Sequence, residues 1–374
     1  MDQPNRSQPD TELPRQERRK ATINDVAARA NVSKKTVSRV INDSPQVRPA
    51  TRERVEAVIR ELAFSPDPQA RALALRRSFL IALVYDNPSP QYVVSMQHGI
   101  LDAIESTGFQ LVLRPCDRGA PDYLTRIAEF ITRHKPFGVV LPPSVSEDAA
   151  LAEMLRASQC DYVRIASVHL DAPNRMVRTC DAEGAAQAAR HLAALGHKMI
   201  GHIHGPKTFR SAHERQAGFE AGLGEFGLAL SAELVAEGGY TFESGQSAAE
   251  RLIYGPRRPT AIFAGNDEMA MGVYMAARKA GLRIPEDLSI AGFDDTPIAA
   301  RMWPPMTTVR LPIRDMGRRA AELLLAAGGA QDGALAGEAA FVPEIVVRQS
   351  TSTPDGKHYP PNDDNPAVRT PATG

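Results

Sequence analysis

The sequence predicts a chain in two parts: an N-terminal all-α helix-turn-helix head, and an α/β body of two lobes, each a parallel sheet covered by helices on both faces. Three observations lead there. Between residues 21 and 63 apolar side chains recur with the helical period three times in succession. From Phe79 to about residue 350, strand-length apolar runs alternate with helical stretches, the pattern of parallel sheets. The charge is divided as well. Residues 15–77 hold fifteen Lys and Arg against seven Asp and Glu, a net +8, so the rest of this formally neutral chain carries −8. A basic head on an acidic body suits a polyanion partner for the head; a solvated basic arm would show the same charge.

Length and composition exclude several classes. The 374 residues exceed one compact unit at roughly 100–200 residues per domain. With 43% hydrophobic and 24% charged residues the chain is globular, not wholly disordered. Cys116, Cys160 and Cys180 form no CxxC pair, which argues against a disulfide scaffold or a cysteine-built zinc site. The polar N-terminus lacks the apolar core of a signal peptide, and no apolar run reaches the ~18 residues that span a bilayer. The expectation is a cytoplasmic protein with no membrane partner.

The first helix follows Ile23, Val26, Ala27 and Ala30, with Thr22 as its cap and Asp25 three residues on. After a short connection at Asn31–Val32, Ser33 caps a second helix whose inner face is Val37, Val40 and Ile41. Pro49 opens a third, with the stripe Val55, Val58, Ile59 and Leu62. Two short helices joined by about three residues are a helix-turn-helix, and each is too short to persist without a shared core. On the free surface of the second helix stand Lys34, Lys35, Thr36, Ser38 and Arg39. The lysines lie in its first turn, and Arg39 is able to donate two hydrogen bonds to a guanine edge. Thr22, Thr36, Ser38 and Asn42 suit phosphate oxygens, and the cap residue Ser33 is counted with the same DNA-binding surface. A plain three-helix bundle with exposed lysines is the competing reading.

In the body the strands read as residues 79–86, 109–115, 137–143, 162–167, 177–181, 198–205, 260–265 and 288–295. The helices read as 91–108, 123–134, 147–158, 182–196, 211–226, 245–253, 266–281 and 312–327. Ligands of open parallel sheets bind at the strands' carboxyl ends, and two sets of ends facing one another would make a cleft. Residues 1–20 and 351–374 are polar and proline-rich and read as disordered tails. His191, His197, His202 and His204 suggest a metal, but no carboxylate–cysteine set completes a site, so neither metal nor cofactor is expected.

Several runs together resemble the LacI family of bacterial transcription regulators: ATINDVAARANVSKKTVSRVIND (21–43), VRPATRERVEAVIRELAFSPDP (47–68), HLAALGHKMIGHIHGP (191–206), IFAGNDEMAMGV (262–273), GLRIPEDLSIAGFDDTPIA (281–299), PPMTTVR (304–310) and PEIVVRQST (343–351). The resemblance covers roughly residues 21–351. It implies a DNA-binding domain at 21–66, a hinge helix at 67–78, and a two-lobed periplasmic-binding-protein-like domain for effector binding and dimerisation at 79–350. Ala70 and Leu73 match hinge positions, and the resemblance implies that Leu73 wedges into the minor groove. The implied partners are a near-palindromic operator, a second copy of the chain, and a small sugar-like effector; a purine-type corepressor is the alternative. Position in the motifs assigns Tyr85, Asp86, Asn87, Tyr92, Phe209, His213, Tyr240, Asn266 and Asp294 to the cleft. Tyr85, Phe209 and Tyr240 fit equally as core or rim aromatics. His213 is read as standing where many relatives carry an arginine, and Leu311 where some carry a polar residue.

An enzyme is the strongest rival class. The body has no GxSxG, Walker A, HExxH or GxGxxG pattern at a strand–helix junction. Asp294 and Asp295 are adjacent on a strand end, so their side chains diverge and do not make an acid/base pair.

Overall fold

The structure, a computed structural model, describes residues 21–41, 44–64, 78–328 and 339–355. The expected tail segments 1–20 and 356–374, Asn42, and the hinge residues 67–77 with Ala70 and Leu73 lie outside the described residues. The chain divides into two compact units, Met1–Arg77 and Ser78–Gly374.

In the first unit, α1 (Ile23–Arg29), α2 (Lys34–Ile41) and α3 (Pro49–Glu61) enclose one small core. Thr22 and Asp25 form a reciprocal capping box that satisfies backbone donors at the start of α1. Asn31, with φ of 51°, makes the left-handed turn that ends α1, a conformation in which asparagine costs less than most residues. Ser33 Oγ then accepts from Thr36 N at 3.1 Å to start α2. Val26, Ala27, Ala30, Val37, Val40, Val55 and Val58 are the buried centre. An exposed Arg29–Glu61 pair at 2.6 Å links α1 to α3.

The second unit holds two six-stranded sheets. The first lobe contains β1 (Leu80–Tyr85), α4 (Pro90–Ile104), β2 (Gln110–Pro115), α5 (Tyr123–His134), β3 (Gly138–Leu141), α6 (Ala149–Ala157), β4 (Asp161–Ala166) and β5 (Met176–Thr179). The chain then enters the second lobe through α7 (Asp181–Ala194), β6 (Ile200–His204), α8 (Arg210–Gly224), β7 (Val235–Glu237), α9 (Phe242–Ile253), β8 (Ala261–Ala264), α10 (Asp267–Lys279), β9 (Ser289–Asp294) and β10 (Thr307–Arg310). It returns through α11 (Ile313–Ala327) and β11 (Ala339–Phe341), and β12 (Glu344–Val346) crosses back. Sheet order is β11-β5-β4-β3-β1-β2 in one lobe and β12-β10-β9-β8-β6-β7 in the other. Every pairing is parallel except β10 with β12. Among the described residues the lobes are therefore joined at three crossings: β5 to α7, β10 to α11, and β11 to β12.

Three sequence expectations need correction. The expected strands include none at β7, β10, β11 or β12, which hold three or four residues each; β3 and β8 have only four residues but lie in the continuous apolar runs 137–143 and 260–265. Helix α9 begins at Phe242, three residues before its expected start at Gly245, because Thr241 and Ser244 cap it reciprocally. The tail expected from residue 351 begins later. Thr351 and Ser352 are buried, Ser352 N donates to Ser289 Oγ, and Thr351 Oγ1 meets both His191 and Thr307.

Candidate functional site

On the first unit, α2 buries Val37 and Val40 and leaves Ser33, Lys34, Lys35 and Arg39 exposed, with Thr36 and Ser38 half-buried. The lysines sit in the first turn and Arg39 a turn later, so one surface presents three cations. The hydroxyls are less available than expected. Thr22 Oγ1 donates to Asp25 at 2.7 Å, so its proton is engaged in the capping box in this conformation. Ser33 and Thr36 bond to each other at 2.9 Å and so keep one free proton between them.

Between the lobes of the second unit the strand ends enclose a pocket of about 20 Å³. Asn87, Ser89, Tyr92 and Pro143 line it from the first lobe, and Phe209, Ser211, Arg215, Tyr240, Asn266 and Asp294 from the second. Thr179, Asp181 and Leu311 flank two crossings, and Met316 comes from α11. Its volume is about that of a water molecule, so a sugar ring enters only when the walls part.

Arg215 is the centre of this pocket. Its Nε donates to Asp181 at 2.8 Å, its Nη1 to the Gly265 carbonyl at 2.5 Å, and its Nη2 lies 3.6 Å from Asp294. The guanidinium stacks 3.8 Å from the centroid of Phe293. Burial opposes its charge, but Tyr240, Asp181 and Asp294 outweigh burial and raise its pKa. Burial pushes the Asp294 carboxyl well above the usual range, with Arg215 opposing. Asp294 also adopts φ of 111°, a strained value for a side-chain-bearing residue, of the kind that collects at ligand sites. Its Oδ1 and the Tyr92 hydroxyl are buried and without hydrogen-bond partners among the described residues. Unused polar atoms of this kind are what a hydroxylated ligand would satisfy.

The remaining cleft residues are framed locally. Asn266 caps α10, its Oδ1 accepting from Met269 N at 2.9 Å while Nδ2 donates to the Tyr240 carbonyl at 3.2 Å. Tyr240 meets Phe209 edge to face at 5.3 Å. Its ring rests on Gly205, where a Cβ would fall 2.2 Å from the ring. Burial pushes the Tyr240 phenol up to about 12. From the first lobe, Glu147 reaches across the cleft, and its Oε2 accepts from Arg210 N at 3.1 Å at the otherwise uncapped start of α8.

Six of the nine residues expected in the cleft therefore line the inner pocket: Asn87, Tyr92, Phe209, Tyr240, Asn266 and Asp294. Asp86 lines instead an adjoining outer cavity of about 480 Å³ and accepts from Ser144 Oγ at 2.7 Å. Tyr85 lines neither cavity. His213 is exposed and its Nε2 bonds the Lys207 carbonyl, so its assignment is corrected: the arginine of the pocket is Arg215, two residues on. Two residues turn a helix by about 200°, which places His213 on the opposite side of α8 from the buried face. Asp181, Ser89, Thr179, Ser211 and Arg215 escaped the sequence reading. For Arg215 a signal existed, because it falls in the stripe of Ser211, Ala212, Gly218 and Phe219 that α8 buries.

Two of the four histidines weighed for a metal, His197 and His202, are buried and held by neighbouring groups. His202 stacks against Phe219 and Phe263 and bonds the Phe263 carbonyl. His197 bonds Thr260, Ser289 and the Ser352 carbonyl. Among the described residues no helix is long and apolar enough to cross a membrane.

Comparison with known proteins agrees with this arrangement. The family described as bacterial regulatory proteins, lacI family, matches residues 22–67, and the periplasmic binding protein-like domain matches residues 189–351. The HTH-type transcriptional regulator DegA of Bacillus subtilis (strain 168) is 34% identical over 338 residues, 89% of this chain and 98% of its own length. A solved complex of the transcriptional regulator CelR with cellobiose aligns with TM-score 0.67 and 30% identity over 88% of this chain and 99% of that one. The lac repressor dimer bound to operator and the anti-inducer ONPF aligns with TM-score 0.73 and 28% identity, over 89% and 99% of the two chains. A helix-turn-helix with a cationic second helix, followed by two lobes around a buried arginine and its carboxylates, is thus the build of a DNA-binding transcription regulator, and the chain belongs to the LacI family.

Proposed function

We propose that this protein is a dimeric, cytoplasmic repressor of carbohydrate-utilisation genes, not an enzyme, whose operator affinity is set by a neutral, hydroxyl-rich small molecule bound between the lobes. The carrying observation is the pocket's charge: Arg215 is already matched by Asp181 and Asp294, so no cation remains to hold a phosphate or carboxylate ligand. Carboxylate, amide and phenol groups facing aromatic rings suit vicinal hydroxyls and a sugar face. The cellobiose held by CelR supports the same class. Asp294 and Asp295 do not form an acid/base pair, since Asp295 turns away to Arg310 and Arg348.

On DNA, Lys34, Lys35 and Arg39 would read base edges, with Ser33, Thr36 and Ser38 on phosphates; Asn42, Ala70 and Leu73 are assigned by sequence position alone. For the second copy of the chain, Trp303 offers an anchor: it is 87% exposed beside Met275 and Met302 in a surface groove of about 1040 Å³. Effector and operator are then coupled by typically ~1–3 kcal/mol, reciprocally.

The test is a thermal-shift screen against monosaccharides, disaccharides, sugar phosphates and purines, followed by operator binding with each hit. A neutral sugar should raise the melting temperature of the wild type and not that of Asp294→Ala. A sugar phosphate or purine as the sole hit would replace this reading with a corepressor one.

A further inference from the structure

Two cavities lie side by side along the cleft. The inner one encloses about 20 Å³ and the outer one about 480 Å³. They share a wall on each lobe. Asn87 faces the inner cavity and Asp86 the outer; across the cleft, Phe209 faces the inner and Thr208 the outer. Adjacent residues of the chain thus divide the two cavities on each lobe, and the cavities are neighbours along the cleft.

The outer cavity has its own recognition chemistry. Arg118 lines it beside Asp86, Cys116 and Asp117. The Arg118 Nε is buried, lies 3.9 Å from Asp148, and has no hydrogen-bond partner among the described residues. Asp86 keeps lone pairs free, since one hydroxyl, that of Ser144, serves both its oxygens. An unused guanidinium donor beside a half-buried carboxylate acceptor is a complementary set for a diol. Two carboxylates against one guanidinium make the lining net negative, which disfavours a phosphate or carboxylate at this position.

We propose that the outer cavity is a second sugar subsite and that the effector is a neutral glycoside of at least two units, one ring in the inner pocket and the next against Asp86 and Arg118. This rests on the sugar reading given above. It makes Arg118 a specificity residue: it selects for chain length and not for the identity of the inner ring.

Matched pairs test it: glucose with cellobiose and maltose, galactose with lactose, and glucose 6-phosphate as an anionic probe, each titrated calorimetrically into the full-length protein. The expected result is a disaccharide bound at least tenfold more tightly than its own monosaccharide, with Arg118→Ala cutting that ratio to within about threefold of unity. Arg118 is loosely paired and partly exposed, and Asp86→Asn, which keeps the Ser144 contact, provides a second reading of the ratio. Equal binding of the two members of every pair, or a ratio untouched by both variants, overturns the second subsite while leaving the sugar reading intact. Preference for glucose 6-phosphate overturns the neutral assignment. Silence across both series overturns the subsite and the sugar reading together.

Discussion

Replacing Arg215 by methionine keeps most of its volume and removes its charge, so the variant isolates what that charge does. Asp181 and Asp294 are left with side chains 2% and 4% exposed and no cation between them. Removing one partner of a buried ion pair costs about 3–5 kcal/mol, and the orphaned Gly265 carbonyl adds about 1–3 kcal/mol. Asp181 keeps the Thr179 hydroxyl, so the lower end, about 4 kcal/mol, is the expected total. At roughly 2–4 °C per kcal/mol for a body of this size, the melting temperature at pH 8 should fall by about 8–16 °C. The loss must also depend on pH. Burial already pushes the Asp294 carboxyl up and Arg215 opposes it; without the guanidinium that opposition is gone, so the penalty of holding this carboxylate in the fold grows as pH climbs. Circular dichroism melts from pH 5 to 8 read both effects. Adding Asp181→Asn and Asp294→Asn should restore more than half of the lost stability. A single variant that melts within about 2 °C of wild type at pH 8, with the same pH slope, would refute the idea that these carboxylates depend on Arg215.

Other consequences follow from the same structure. Burial lowers the pKa of His191 to about 4 and of His202 to about 3, so the folded state holds both neutral. Their contribution is complete above the unfolded value near 6.5 and is lost as pH falls from there towards 4. At pH 5 each should cost about 2 kcal/mol, and urea midpoints for His191→Gln should fall less steeply with acid than wild type. Lys35→Ala and Arg39→Ala should each weaken operator binding by about 1–3 kcal/mol and leave binding to unrelated DNA nearly unchanged. If titrations in increasing salt show only a smaller slope, these residues touch phosphate and not bases. Trp303→Glu should convert the dimer to monomer at micromolar concentration in sedimentation, with unchanged circular dichroism; an undisturbed dimer would move the contact away from that groove.

The sequence exposes the architecture more readily than the cleft. Long amphipathic helices such as α5 carry enough period to be located from residues 123 to 134 without coordinates. Strands β7, β10, β11 and β12 do not: β7, β11 and β12 have three residues, and β10 mixes two threonines and an arginine with one valine, whereas the equally short β3 and β8 are continuous apolar runs. The cleft follows the same division. Asn266 and Asp294 were readable because each ends a strand beside a turn, where ligand groups collect. Arg215 was not, because a charged helix residue is ordinarily solvated and only its place on a buried stripe betrays it. Thr22 shows the reverse difficulty: one hydroxyl suits a helix cap or a phosphate, and only the bond to Asp25 decides. Asp86 and Asn87 are neighbours in a single motif just past the end of β1, yet they line different cavities.

The first turn of α4 lines the cleft through Tyr92, and the helix then runs on to Ile104, a lever arm of about 18 Å at 1.5 Å per residue. A swing of only about five degrees at the cleft end carries Ile104 through an arc of roughly 1.6 Å, close to half the separation between packed carbon atoms. Strand β1 also has its carboxyl end at the cleft and its opposite end, Leu80, close to Ser78, where the body begins. A swing of the first lobe about the cleft would thereby pass to the start of the body a displacement larger than that of the ligand itself.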